Sequence, residues 1–347
     1  MPQLSNLITP IPGLSSLEAP FSNTEIDEVV RNLPPDKALG QDGFNGYFLK
    51  KCWNIIKDDF YRLCAAFHQA EVNLQPLNNS YIALIPKTDC PTTVKDYRPI
   101  SLVNSAIKII TKILANRLQP FMGNFMHQNQ YGFIKGHSIQ DCLAWVFDFT
   151  HQCHRAKKPV ALLKLDFTQA FDRVEHAAIF AMLAALGFPP TWINWIRLIL
   201  QSAQSAIILN GSVGKYFRCK RGVRQGDPLS PLLFVIVGEL LQFILNNASS
   251  IGALQAPSCL PQADFPVIQY ADDTIIYVEA TQRNLFNLKI FLNSFSAATG
   301  LTVNLAKSCI IPINLDSDQA DILARTFGCP LGQFPLPYLG LPLGSGH

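Results

Sequence analysis

The chain has 347 residues, 48% hydrophobic and 15% charged, which suits a folded protein with a large core and excludes a disordered one. Its net charge of +3 does not announce a polyanionic partner, so any nucleic-acid role must rest on local charge. Nine cysteines, an odd number without a CxxC pair, favour reduced thiols over a disulfide framework.

Taken in chain order, residues 1–20 are rich in Pro and Ser and read as an extended lead-in. Met1-Pro2-Gln3-Leu4-Ser5-Asn6 has neither the basic nor the apolar region of a signal peptide, so a nuclear or cytoplasmic protein is expected, not a secreted one. Ser22-Asn23-Thr24-Glu25 fits a capping box and predicts a helix through Leu33, stopped by Pro34-Pro35. Helical spacing of Phe48, Cys52, Ile55, Phe60, Leu63 and Phe67 predicts a helix from Tyr47 to His68. Tyr81 to Ile85 reads as a strand, and Ser101 to Leu118 as an amphipathic helix. Asp172 is expected to cap a helix ending near Gly187, and a further helix should span Trp192 to Ser202. Ala206 to Leu209 followed by Asn210-Gly211 opens a hairpin. Pro228 suits a first helical turn, so a helix through Phe243 should start just after Gln225-Gly226. Its apolar run Leu232 to Gly238 ends at Glu239, which is short for a membrane span and suits a buried helix, and no membrane association is expected. Leu285 to Phe295 reads as a helix with Gly300 beyond its end. Helices mixed with mainly antiparallel strands imply an α+β fold.

The chemistry concentrates at Tyr270-Ala271-Asp272-Asp273. Val267 to Tyr270 and Thr274 to Val278 are β-branched and aromatic, so two adjacent carboxylates sit at the tip of a hairpin. Like charges on apolar strands repel and lose solvation, a cost that a bound divalent cation would remove. Asp166 ends a third strand-like run, Val160 to Leu165. Carboxylates from two strand ends can converge on two metal ions, the apparatus of in-line phosphoryl or nucleotidyl transfer. A lone Asp-Asp pair is more often a solvated turn, and a lone Asp166 more often a strand end. The basic stretch Lys215, Arg218, Lys220, Arg221 and Arg224 adjoins Gln225-Gly226, which favours phosphate contact over a merely solvated face. His151, Cys153 and His154 are too tightly spaced for a zinc finger, and no second pair follows.

Leu165-Asp166-Phe167-Thr168-Gln169-Ala170-Phe171-Asp172, then Arg221 to Pro231, then the Tyr-Ala-Asp-Asp stretch resemble successive palm motifs of a reverse transcriptase. Asp36 to Phe44, Ile85-Pro86-Lys87, Tyr97 to Leu102, Gln130-Tyr131-Gly132-Phe133, Thr299 to Asn304, Lys307-Ser308 and Tyr338-Leu339-Gly340 extend the match in order. The chain resembles the reverse transcriptase of non-LTR (LINE-type) retrotransposons, of plant type. The resemblance implies the fingers and palm of a right-hand polymerase, with an antiparallel palm sheet packed on helices. It implies a lead-in and short helix over 1–35, fingers over 36–160, and a palm over 161–328 with a fingers-side insertion near 190–222. A primer-grip-like hairpin would follow over 329–347, truncated before a thumb.

It also implies an RNA-directed DNA polymerase acting with Mg²⁺ (or Mn²⁺), dNTPs, an RNA template and a DNA primer. Asp166, Asp272 and Asp273 would hold the metal, with the Phe167 carbonyl able to complete a coordination shell. Phe171 would be the steric gate under the sugar, against the alternative of a core phenylalanine. Gln225 and Gly226 would form the nucleotide pocket, and Lys87 and Arg98 would bind triphosphate. Lys307 would donate a proton to pyrophosphate. His137, Gln169, Leu39 and Gln41 depart from the family's usual residues, and none removes a metal ligand. Thumb and endonuclease are expected in a parent polyprotein, which leaves this chain alone a weak polymerase. The alternatives are a group II intron-like reverse transcriptase and an inactive remnant that binds RNA or a partner.

Overall fold

A computed structural model of the chain describes residues 4–344; the ends read above, Met1–Gln3 and Ser345–His347, lie outside the described residues. The strands are β1 (Asn79–Pro86), β2 (Tyr97–Val103), β3 (Val160–Leu165), β4 (Gln204–Leu209), β5 (Ser212–Val213) and β6 (Phe217–Arg218). Then come β7 (Val267–Tyr270), β8 (Asp273–Glu279), β9 (Cys309–Ile313), β10 (Leu336–Tyr338) and β11 (Leu341–Leu343). The chain divides into two compact units, one of residues 4–9, Met122–Ala178 and 234–344, the other of Pro10–Phe121 and Ile179–Leu233. The expected α+β class holds, with helices packed on sheets whose pairings are antiparallel apart from β1 with β4.

The first unit is built on an antiparallel sheet of order β7-β8-β3-β9. Val160 to Leu163 are all buried, as are Thr274 to Val278, so the inner strands are covered on both faces and need no polar alternation. One face, with Leu162, Ile275, Tyr277 and Ile311, packs on Cys142, Val146 and Phe149 of the helix Ile139–Ala156. Tyr277 is fully buried there, and its hydroxyl donates to the Val146 carbonyl at 3.0 Å. Leu339 (φ 48) and Gly340 (φ 86) form the two-residue turn between β10 and β11, so the Tyr338-Leu339-Gly340 motif is a tight hairpin.

In the second unit the sheet order is β2-β1-β4-β5, with β6 also on β4. Asn210 (φ 50) and Gly211 (φ 78) make the expected primed turn between β4 and β5. Ser22 caps the helix Asn23–Arg31 by accepting from Glu25 N–H, as its sequence predicts. Residues before it are not a loose lead-in. Leu14 and Leu17 are buried, and the Arg117 guanidinium binds the carbonyls of Leu17, Ala19 and Pro20 together with both Glu25 oxygens at 2.7 Å. Ser101 to Val103 belong to β2, and the helix starts only at Ser105. Asp42 decides that boundary, because its carboxylate accepts from Ser105 N–H at 2.6 Å and replaces a local cap.

Two other boundaries move. The helix Ser230–Gly238 begins after Pro228, because Asp227 Oδ1 accepts from Leu229 and Ser230 N–H and makes the cap. Asp172 lies inside a short helix, Ala170–Arg173, ahead of the helix His176–Ala185. Helix also continues through Glu239, so Ser230–Ser250 forms a 21-residue stretch that passes for a membrane span by length and composition alone. Most of it is buried inside the protein, which is the ordinary condition of a core helix.

Glu239 is the exception in that helix. One of its oxygens accepts from His127 N–H at 2.9 Å, and the other has no partner among the described residues. Burial pushes its pKa up to about 8; the His127 N–H opposes the rise and Asp264 adds to it. An acid raised in the folded state contributes stability below its unfolded pKa that is lost as pH rises through the folded value. Urea midpoints should therefore fall between pH 6 and pH 9, and Glu239→Gln, which keeps an acceptor for His127, should flatten that fall.

Candidate active site

Asp166 directly follows β3, and β3 pairs with β8 up to Leu165 opposite Thr274. One step further puts Asp166 across from Asp273, and side chains directly opposite in an antiparallel pair share a face. Asp272 is the second residue of the β7–β8 turn. The backbone of Asp166 is fixed from its other side: its N–H donates to Ser308 Oγ at 3.0 Å, and its carbonyl accepts from Asn304 N–H at 2.7 Å. Phe167 then bridges to Val303, and Thr168 N–H donates to the Thr302 carbonyl. The stretch from Thr302 to Ser308 is thus a backbone splint for Asp166.

The aspartate turn is held by a segment far away in sequence. Ala271 sits at φ 58, a left-handed conformation that costs alanine roughly 1 kcal/mol. The buried Gln130 side-chain oxygen accepts from Ala271 N–H at 3.1 Å and from Gly132 N–H at 2.9 Å. Asn129 and Tyr131 exchange backbone hydrogen bonds with Gln269, which adds an edge to β7. A Cβ on Gly132 would lie 2.4 Å from the Ala271 nitrogen, so only glycine lets the two backbones approach. Sequence reading found the Gln130-Tyr131-Gly132-Phe133 motif but assigned it no role.

Electrostatics set this site apart. Loss of solvation raises the Asp272 carboxyl above its ordinary value, and Asp273 and Asp166 raise it further. Desolvation also raises Asp273; Lys164 opposes the rise, and Asp166 adds to it. Lys164 Nζ in turn donates to the Pro337 carbonyl of β10 at 2.7 Å. The three carboxylates therefore feel one another, although among the described residues no three acidic, histidine or cysteine side chains close into a metal-holding group. The donors are all carboxylate oxygens under mutual repulsion, which fits a hard divalent cation such as Mg²⁺.

Phe171 stacks on Phe234, with centroids 4.5 Å apart and planes 15° from parallel, and meets Phe133 edge to face at 6.2 Å. Phe133 stood in a matched motif and Phe234 in an apolar run, but only the contacts link them to Phe171. Lys307 is exposed in the turn after Asn304.

In the second unit, Gln225 and Gly226 lie against β2. The Gln225 carbonyl accepts from Ser101 N–H at 2.8 Å, and Gly226 (φ 111) would put a Cβ 3.0 Å from the Ser101 carbonyl oxygen. Lys87 and Arg98 are exposed on the β1–β2 hairpin, and Lys87 Nζ donates to the Lys95 carbonyl at 2.7 Å.

Residues 85–343 match the reverse transcriptase (RNA-dependent DNA polymerase) family. The chain belongs to this family. It is 29% identical over 295 residues to the transposon TX1 uncharacterized 149 kDa protein of Xenopus laevis, a match covering 84% of this chain and 22% of that protein. It is 28% identical over 258 residues to the Pol polyprotein of the type-2 retrotransposable element R2DM of Drosophila melanogaster, covering 74% of the chain and 23% of the polyprotein. The RNA-directed DNA polymerase from mobile element jockey of the same fly is 24% identical over 325 residues, 84% of the chain and 34% of that protein. The chain thus spans about a fifth to a third of the length of these relatives.

Two residues of this reverse transcriptase domain correct the sequence reading. Arg224 is not a phosphate contact: its guanidinium is buried, binding the Asn78 side chain, the Asn78 carbonyl at 2.7 Å and the Gln204 carbonyl at 3.2 Å. His137 is more than a diminished surface charge, because its Nδ1 donates to the Gln130 carbonyl at 2.6 Å and steadies the residue that holds the aspartate turn. Gly132→Ala should therefore push Ala271 and move the two aspartates. Catalysis tolerates little misplacement, so primer extension should drop by about 100-fold while the melting temperature falls only modestly, as read by parallel extension assays and thermal melts.

Proposed function

We propose that this domain copies RNA into DNA as the polymerase of a non-LTR retrotransposon, within a longer polyprotein, in the nucleus or cytoplasm. The observation that carries the reading is the placement of Asp166 opposite the Asp272–Asp273 turn at the dry end of an antiparallel sheet. The retrotransposon names of the relatives support it over a group II intron-like enzyme. Asp166, Asp272 and Asp273 would hold Mg²⁺, and such ions supply charge stabilisation to the attacking and leaving oxygens of an in-line displacement. The Phe167 carbonyl is a further oxygen donor next to Asp166. Phe171, braced by Phe234, would exclude a 2′-hydroxyl by bulk. Gln225 would hydrogen-bond the nucleotide, and Gly226 would let its backbone approach. Lys87 and Arg98 would bind triphosphate oxygens, and Lys307 would protonate the leaving pyrophosphate.

The second reading is a remnant that binds RNA without polymerising. Cation binding separates the two. Millimolar Mg²⁺ or Mn²⁺ should raise the melting temperature of the wild type by a few degrees and leave Asp272→Asn unmoved. The raised carboxyls keep their protons to higher pH than ordinary ones, so the metal-induced rise should shrink as pH falls through that raised range. Without metal, the same raised acids lose stability as pH increases, so Asp272→Asn should be the more stable protein at neutral pH. No metal response at any pH, together with no primer extension, would leave the remnant.

Substrate choice supplies another check. Phe171→Val should relax rejection of ribonucleotides by on the order of 10-fold. Phe234→Leu removes the brace and should relax it less. Discrimination unchanged in both variants would return Phe171 to ordinary core packing.

A further inference from the structure

Two thiols of the first unit meet across a long stretch of sequence. Cys153 and Cys259, 106 positions apart, stand Sγ to Sγ at 3.8 Å. Cys153 is buried near the end of the helix Ile139–Ala156, and Cys259 is half-buried in the loop between the helix Leu240–Ser250 and β7. Both carriers are pinned. Asn314 Nδ2 donates to the Cys153 carbonyl at 2.9 Å and to the Lys158 carbonyl at 3.0 Å. Lys158 Nζ donates in turn to Ser258 Oγ at 2.7 Å, which ties the residue before Cys259 to the segment that follows the helix. Leu260 N–H donates to the Pro257 carbonyl at 3.0 Å, and Gln262 Nε2 donates to the Leu260 carbonyl at 2.8 Å, so Cys259 sits in a closed turn.

This geometry asks little of the backbone. A disulfide sets its sulfurs about 2.05 Å apart, so each sulfur here must move by about 0.9 Å, within the reach of side-chain rotation. The two thiols have different parts to play. Burial pushes the Cys153 thiol well above its ordinary value, and Cys259 adds to the rise. Cys259 has the exposure that a reagent in solution needs to reach it. A cavity of about 100 Å³ lies between the same two elements, its lining including Trp145 and Phe149 of the helix and Pro261, Asp264 and Pro266 of the loop. The loop therefore meets the helix beside a cavity and not through a close-packed contact, and a covalent tie there would remove freedom that packing leaves.

We propose that Cys153 and Cys259 form an oxidation site, closing into a reversible disulfide that ties the helix to the loop when a small-molecule disulfide such as oxidised glutathione is present. The Cys259 thiolate attacks one sulfur of glutathione disulfide, and that S–S bond breaks. One glutathione leaves with the electron pair and takes up a proton in place of the one Cys259 lost. Cys153, deprotonated in its turn, attacks the Cys259 sulfur of the mixed disulfide and expels the second glutathione. The two cysteines lose two electrons and two protons, and glutathione disulfide is reduced to two thiols. Compartments that keep thiols reduced use such bonds transiently. The bond would close a long loop, and long loops lose the most freedom in the unfolded chain. The inference is independent of the polymerase reading, since neither a carboxylate nor a nucleotide takes part.

The test is peptide mapping by mass spectrometry of the full 347-residue chain held in buffers of reduced and oxidised glutathione, with thermal melts of the same samples. The oxidised wild type should yield a Cys153–Cys259 linked peptide and melt several degrees higher, and excess reduced thiol should reverse both. Cys259→Ala, at a half-buried position, should fold, melt like the wild type in reducing buffer and gain nothing from oxidation. Cys153→Ala removes the second thiol and should leave glutathione trapped on Cys259. A glutathione adduct that persists on Cys259 of the wild type would overturn the site. So would free thiols at both positions while the exposed Cys90 is modified, or a bond from Cys259 to any cysteine other than Cys153. A linked peptide without a rise in melting temperature would overturn the tie between helix and loop.

Discussion

The domain depends on a two-residue turn that must point carboxylates out of a dry sheet. Ala271 occupies a conformation that alanine resists, and Asp272 and Asp273 repel each other and Asp166. Local sequence alone would relax both tensions by opening the turn toward water. Gln130 prevents that by capturing the Ala271 N–H, Gly132 by letting the backbones touch, and the exchange between Gln269 and residues 129 and 131 by fixing the edge. Strain of this kind needs surroundings that over-determine it, and here they are the Gln130 side-chain oxygen, the Gly132 contact and a backbone exchange.

The opposite wall obeys the same rule. Asp166 is held through its own N–H and carbonyl by Ser308 and Asn304, not through its carboxylate. Its carboxylate takes no part in that clamp. The all-buried strands β3 and β8 between the walls give the stiffness that such positioning requires, since close-packed interiors transmit small shifts instead of absorbing them. A chemistry that needs oxygens placed to within an ångström is therefore set on strand ends, with loops used only to clamp them.

Much of this was legible in sequence, and the reason is locality. The β7–β8 hairpin, β3 and the helices Gly46–His68 and Gln282–Thr299 follow from side-chain period, caps and breakers within a few residues. The failures share a cause. Ser101 to Val103 looked helical because Asp42, the true cap, lies about 60 residues upstream. Arg224 read as a phosphate contact because its acceptors, Asn78 just before β1 and Gln204 of β4, lie far from it in sequence. Phe234 looked like any residue of an apolar helix until its ring was seen beneath Phe171. Pattern locates elements; it does not show which distant groups satisfy them.

That distinction bears on how family motifs should be read. Under the proposed function, Asp166, Asp272, Asp273 and Arg98 among the matched residues would each serve substrate. Others hold backbone: Asp42 caps a helix, Asp227 caps another, Arg224 ties β1 to β4, and Gln130 carries the turn. Motif integrity is thus required by folding as well as by chemistry, and an intact motif set does not by itself argue for turnover. The departures fall on the supporting side. His137 bonds the Gln130 carbonyl, and Gln169 takes a left-handed φ of 47 ahead of the short helix that carries Phe171. A neutral imidazole can make the bond His137 makes here, so this substitution need not disturb the turn. Gln169 carries a Cβ in that left-handed conformation, which strains the step between β3 and the short helix Ala170–Arg173.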